Sequence, residues 1–99
     1  MFVLELSYTA PIERVDALLG AHVEWLNARY AEGVFLASGR KEPRDGGVIL
    51  AGGVGRGEIE EIVAGDPFVV AGVCAYRIVQ FYATKSVDGL APFRDELPV

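Results

Sequence analysis

Between Phe2 and Tyr8 the chain alternates, with Phe2, Leu4, Leu6 and Tyr8 on one side and Val3, Glu5 and Ser7 on the other. A period of two with one apolar side is the pattern of a half-buried strand. From Ile12 the period changes. Ile12, Val15, Leu19, Val23, Leu26 and Tyr30 recur every three or four positions, Pro11 stands where a first helical turn tolerates it, and Gly33 ends the run. A helix is therefore expected from about Ile12 to Tyr30. Val34–Ser38 and Val48–Ala51 are short apolar runs around RKEPRDGG (Arg40 to Gly47), whose Pro and Gly-Gly predict the turn of a hairpin. GGVGRG (Gly52 to Gly57) reads as a flexible connection. Ile59, Ile62 and Val63 then share one side of a second, shorter helix over Glu58–Ala64, and Val73–Ala83 alternates again as a fourth strand.

The order is β-α-β-β-α-β, which predicts an α+β, ferredoxin-like fold: a four-stranded antiparallel sheet with two helices on one face. The middle strands, VFLA and VILA, are apolar on both sides, so the second face of the sheet also wants cover. A second copy of the chain packing sheet to sheet around a two-fold axis would supply it, and a homodimer is expected. Residues 1–83 make the domain. Residues 84–99, with two prolines and mixed charge, are expected to form a C-terminal arm.

Composition narrows the function. An apolar fraction of 52% is high for 99 residues and agrees with surface covered by a partner. Nine basic against fourteen acidic residues leave a net charge of −5, which repels phosphate backbones and argues against nucleic acid. No apolar run approaches the length of a membrane span, and the N-terminal stretch has no basic region of a signal peptide, so a cytoplasmic location is expected. The single cysteine, Cys74, sits in an apolar run and reads as a buried, inert thiol. With one histidine, no CxxC and no carboxylate cluster at ligand spacing, neither a metal nor another cofactor is expected. GGVGRG matches no phosphate-loop pattern, and Glu58, Glu60 and Glu61 directly after it would repel phosphate.

Two residues carry the candidate chemistry. Asp66 stands before Pro67 in AGDPFVVAGV, a segment otherwise apolar or glycine. Aspartate followed by proline is the pattern of a helix N-cap with Pro at N1. With 100° per residue and Ile12 at zero, His22 falls at about 280°, at the edge of the apolar sector and facing the sheet. An imidazole there needs a hydrogen-bond partner. It could find a backbone carbonyl or water, or it could meet Asp66, since a cap can serve the amides and a histidine together. Ser38, Gly39, Arg40 and Trp25 are candidate substrate-binding residues. Each has a plainer reading: Ser38 as a small residue ending a strand, Arg40 within a solvated hairpin tip that could also guide an anion, and Trp25 as aromatic cover for the core.

HVEWL (His22 to Leu26), EGVFLASG (Glu32 to Gly39), DGGVIL (Asp45 to Leu50) and DPFVVAGV (Asp66 to Val73) together resemble the YciI-like proteins. The likeness runs from the first strand to about Phe81. It implies a dimeric α+β barrel of ferredoxin-like domains and a pocket beside the sheet where the helix histidine and the DPF aspartate form the active-site pair. Distant relatives of that family include muconolactone isomerases and other cofactor-free enzymes. Where the family often has Gly-Pro after its second strand, this chain has Gly39, Arg40 and Lys41, a basic turn in place of a stiff one. The expected function is metal-free acid/base chemistry, such as isomerisation, elimination or a lactone-type reaction, by His22 and Asp66 on a small anionic organic molecule. A non-catalytic module that binds a metabolite in the same pocket is the alternative.

Overall fold

A computed structural model describes residues 1–98. Strands β1 (Phe2–Tyr8), β2 (Phe35–Arg40), β3 (Gly46–Ala51) and β4 (Cys74–Gln80) form one antiparallel sheet in the order β2-β3-β1-β4. Helices α1 (Ile12–Ala17) and α2 (Leu19–Ala31) lie between β1 and β2, and α3 (Arg56–Ala64) and α4 (Pro67–Val70) between β3 and β4. This is the α+β, ferredoxin-like arrangement that the period changes predict. Phe2, Leu4 and Leu6 alternate onto the helix-covered face, where Ile49 and Ala51 pair beside them and Val15, Ile59, Val63 and Phe68 close over them. Leu4, Val15, Ile59 and Ala51 are fully buried. Burying a side chain of this size stabilises the fold by roughly 1.5–3 kcal/mol, so this one layer dominates the core.

The long first helix is not continuous. It breaks at Leu18, whose φ of −105° and ψ of 0° leave helical geometry. Its N–H donates to the Val15 carbonyl, a tight i→i−3 turn that closes α1, and its own carbonyl accepts from the His22 N–H to open α2. The break resets the helical phase. His22 becomes the buried residue of α2, while Leu19, Val23 and Tyr30, central to the expected apolar stripe, stay 36–42% exposed.

The hairpin strands also run further into the turn than their apolar residues suggest. Gly39 and Arg40 pair with Val48 and Gly47, and a β-bulge falls between Phe35 and Ala37. Phe35 pairs with Ala51 and Ser38 with Ile49, both on the helix side of the sheet. Three residues along, Ser38 would have faced away from Phe35 in a regular strand. The extra residue brings it, and Arg40 after it, back to the helix side.

After β4 a 3-10 helix, Asp88–Phe93, leads to Asp95. The Asp95 carboxylate accepts hydrogen bonds from the Ala83 N–H at 2.9 Å and the Met1 ammonium at 2.8 Å. Those two donors hold its carboxyl below the usual carboxylate range.

Candidate active site

Asp66 is fully buried and is the N-cap of α4, with Pro67 at N1. Its extended backbone (φ −60°, ψ 125°) turns the side chain back so that Oδ1 accepts from the Phe68 N–H at 2.9 Å. The same oxygen lies 2.8 Å from His22 Nδ1, and Oδ2 accepts from the Tyr76 hydroxyl at 2.5 Å. The carboxylate is thus satisfied by three donors from three different elements. An ionised carboxylate can only accept, so the ring nitrogen facing it carries the hydrogen. His22 then presents Nε2 as its remaining nitrogen. Among the described residues no protein group bonds to Nε2.

The ring is gripped on its faces as well. Phe68 stacks on it at 4.1 Å between centroids with planes 9° apart, and Trp25 stands 5.6 Å away. The negative charge is felt nearby. Burial and Asp66 together push the Tyr76 phenol far above its ordinary value, and they push the Cys74 thiol up to about 11.

A cavity of about 160 Å³ opens beside His22, between α2 and the β2–β3 hairpin. Leu19, Val23 and Leu26 form its α2 wall, which explains why these apolar residues stay partly exposed. Leu6, Ile49 and Phe68 contribute from the sheet and α4. Opposite the helix wall the lining becomes polar and cationic, with Ser38, Gly39 and Arg40 from β2 and Arg44 from the turn.

The expected site residues therefore distribute unevenly. His22 and Asp66 are hydrogen-bonded, and Ser38, Gly39 and Arg40 line the cavity. Ser38 Oγ is already engaged with the Tyr30 hydroxyl at 2.6 Å. Trp25 does not line the cavity; it packs behind His22, edge-on to Phe35 at 5.2 Å. Its size and apolarity fit the core better than the wall. Two further residues are not singled out by the sequence. Tyr76 lies on the same face of β4 as Cys74, and a phenol on the buried face of a strand needs a partner, which is the one signal that could have found it. Arg44 sits in a turn without periodicity. It is tethered to Asp16 and lies over the Tyr8 ring at 6.0 Å, so its guanidinium is held at the cavity rather than free in solvent. Lys41 points elsewhere, toward Glu5 and Ser7. Among the described residues, no cluster of three or more His, Cys, Asp or Glu could hold a metal ion, and no helix is long and apolar enough to cross a membrane.

A model of the YCII-related domain matches residues 1–82. The chain belongs to the YCII-related family. The match ends just after β4. A solved structure of similar fold is a 5-chloro-2-hydroxyhydroquinone dehydrochlorinase from Burkholderia phenoliruptrix AC1100, in complex with 2,5-dihydroxybenzoquinone. The two chains share 20% identity with a TM-score of 0.65, over 82% of this chain and 93% of that one. At that identity the likeness establishes the fold. No curated protein matches the sequence significantly.

Proposed function

We propose that this YCII-related domain is an enzyme that uses His22 as general acid/base on a small anionic organic molecule, with Asp66 orienting the ring. The observation that carries the reading is the arrangement of the imidazole: one nitrogen anchored to a buried carboxylate at 2.8 Å, on a residue that lines a cavity rimmed by Arg40 and Arg44. Proton transfer of this kind needs only side chains. In the proposed step Nε2 takes a proton from a C–H or O–H of the substrate, and Asp66 stabilises the imidazolium that results. The electron pair left on the substrate expels a leaving anion in an elimination, or takes the proton back at another atom in an isomerisation. Water then removes the proton from the imidazolium after an elimination. Ser38 and Arg40 line the opposite wall and would hold the substrate's anionic group.

Elimination is the better supported of these reactions, because the structural neighbour is a dehydrochlorinase and its complex holds a small ring compound. The test starts from 5-chloro-2-hydroxyhydroquinone, with chloride release as the readout. Turnover by the wild-type protein should fall by roughly 10²–10⁴ in His22→Ala. A loss of the same order is expected in Asp66→Ala. Unchanged chloride release in both variants would rule the pair out. A melting shift with this compound but no chloride would favour the metabolite-binding module instead.

The same proposal includes a homodimer through the open face of the sheet. Register places Ala37, Leu50, Val3 and Val79 in one row across all four strands, on the face away from the helices. Val79 is 38% exposed there. An apolar row that crosses a whole sheet supports a partner that covers it.

A further inference from the structure

The acid/base reading leaves the Tyr76 hydroxyl unused. Tyr76 projects from β4 onto Asp66 and bonds the carboxylate oxygen that neither the ring nor the Phe68 amide occupies. A carboxylate with a hydrogen bond on Oδ1 alone could swing about its Cβ–Cγ bond. With Oδ2 held as well, both oxygens are pinned, and the direction from which Asp66 meets the ring is determined.

We propose that Tyr76 is a positioning residue for His22: acting through Asp66, its hydroxyl fixes the carboxylate so that the ring stays in the Nδ1–H form with Nε2 free toward the cavity. The inference deepens the acid/base reading and takes its functional meaning from it, but it concerns the state of the ring and can be tested without a substrate. Without the hydroxyl the carboxylate is free to turn, and its hold on Nδ1–H loosens. The ring's other close neighbours, Trp25 from α2 and Phe68 from α4, offer no side-chain acceptor that could take over this role.

Because His22 is the only histidine, ¹⁵N NMR of the imidazole reports it without ambiguity. In wild type the neutral ring should show one protonated nitrogen, Nδ1. In Tyr76→Phe the neutral ring should become a mixture of tautomers. A folded Tyr76→Phe protein whose ring keeps Nδ1 alone protonated would overturn the proposal and leave Tyr76 as core filling. A second measurement covers a variant that does not fold. In the wild-type protein the Tyr76 hydroxyl proton, held on Asp66, should exchange slowly enough with water to be seen downfield by ¹H NMR, and a hydroxyl proton in fast exchange overturns the proposal equally. The two readings fail separately: chloride release that survives His22→Ala removes the catalytic role while the coupling of Tyr76 to the ring stands.

Discussion

Asp66 shows how much one residue can organise. As an N-cap it contributes about 1 kcal/mol, an ordinary local role. Its complete burial makes the rest necessary, because taking a carboxylate out of water costs several kcal/mol unless its lone pairs are filled. Phe68, His22 and Tyr76 fill them. The charge also reaches Cys74, where burial first and Asp66 second raise the thiol from its ordinary value of 9.0 to about 11. A raised value in the folded state means that the native protein keeps a proton the unfolded chain gives up sooner. The associated stability is whole below pH 9 and is lost as pH rises through about 11. Native Cys74 should therefore react with iodoacetamide far more slowly at pH 8.5 than in denaturant, with the native pH–rate midpoint near 11. Equal rates in the two states would show that the thiol is neither buried nor near the charge.

The hairpin carries the corresponding lesson for elements. A Cβ added at Gly46 would stand 1.8 Å from the Leu6 carbonyl oxygen and 2.8 Å from its carbon, both backbone atoms of the central strand. β3 can approach β1 this closely only with glycine at that position. Gly39, on the neighbouring strand, has nothing within 4 Å of an added Cβ. Gly46→Ala should lower unfolding stability by about 2 kcal/mol in urea, with Gly39→Ala nearly neutral as the control. Equal stability of the two variants would mean that the strands separate without cost. DGG in the sequence marks this place as a turn but not as the point of contact, because contact depends on β1, forty residues earlier. The bulge in β2 and the break at Leu18 are hidden for the same reason. Neither position is itself Gly or Pro, Gly20 two residues past the break falls within a helical spacing that runs on through it, and a short apolar run does not show which of its residues is the extra one. The pair of His22 and Asp66 is legible because each is chemically isolated. A lone ring on an apolar helix edge and a lone acid before proline both demand partners, whereas Arg44, one charge among several in a turn, demands none.

At the scale of the whole molecule the question is what covers the second face of the sheet. The helices close one face around Leu4, and the Ala37–Leu50–Val3–Val79 row crosses the other. Two copies meeting on this row would bury it, but each copy brings a charge of −5, so the attraction has to come from apolar contact against net repulsion. A new carboxylate in the middle of such a contact meets both opponents at once, desolvation and like charge. In a monomer the same substitution faces water and costs little. Val79→Glu separates the two cases. Wild type should sediment as a dimer at micromolar concentration and Val79→Glu as a monomer, with the same far-UV circular dichroism. A monomeric wild type would leave the sheet open and remove the dimer from the proposal. The His22–Asp66 bond joins α2 to the start of α4, on the helix side and within one chain. The monomeric variant should therefore keep the Nδ1-protonated ring of the wild type in ¹⁵N NMR, which would place chemistry and assembly on opposite faces of one sheet.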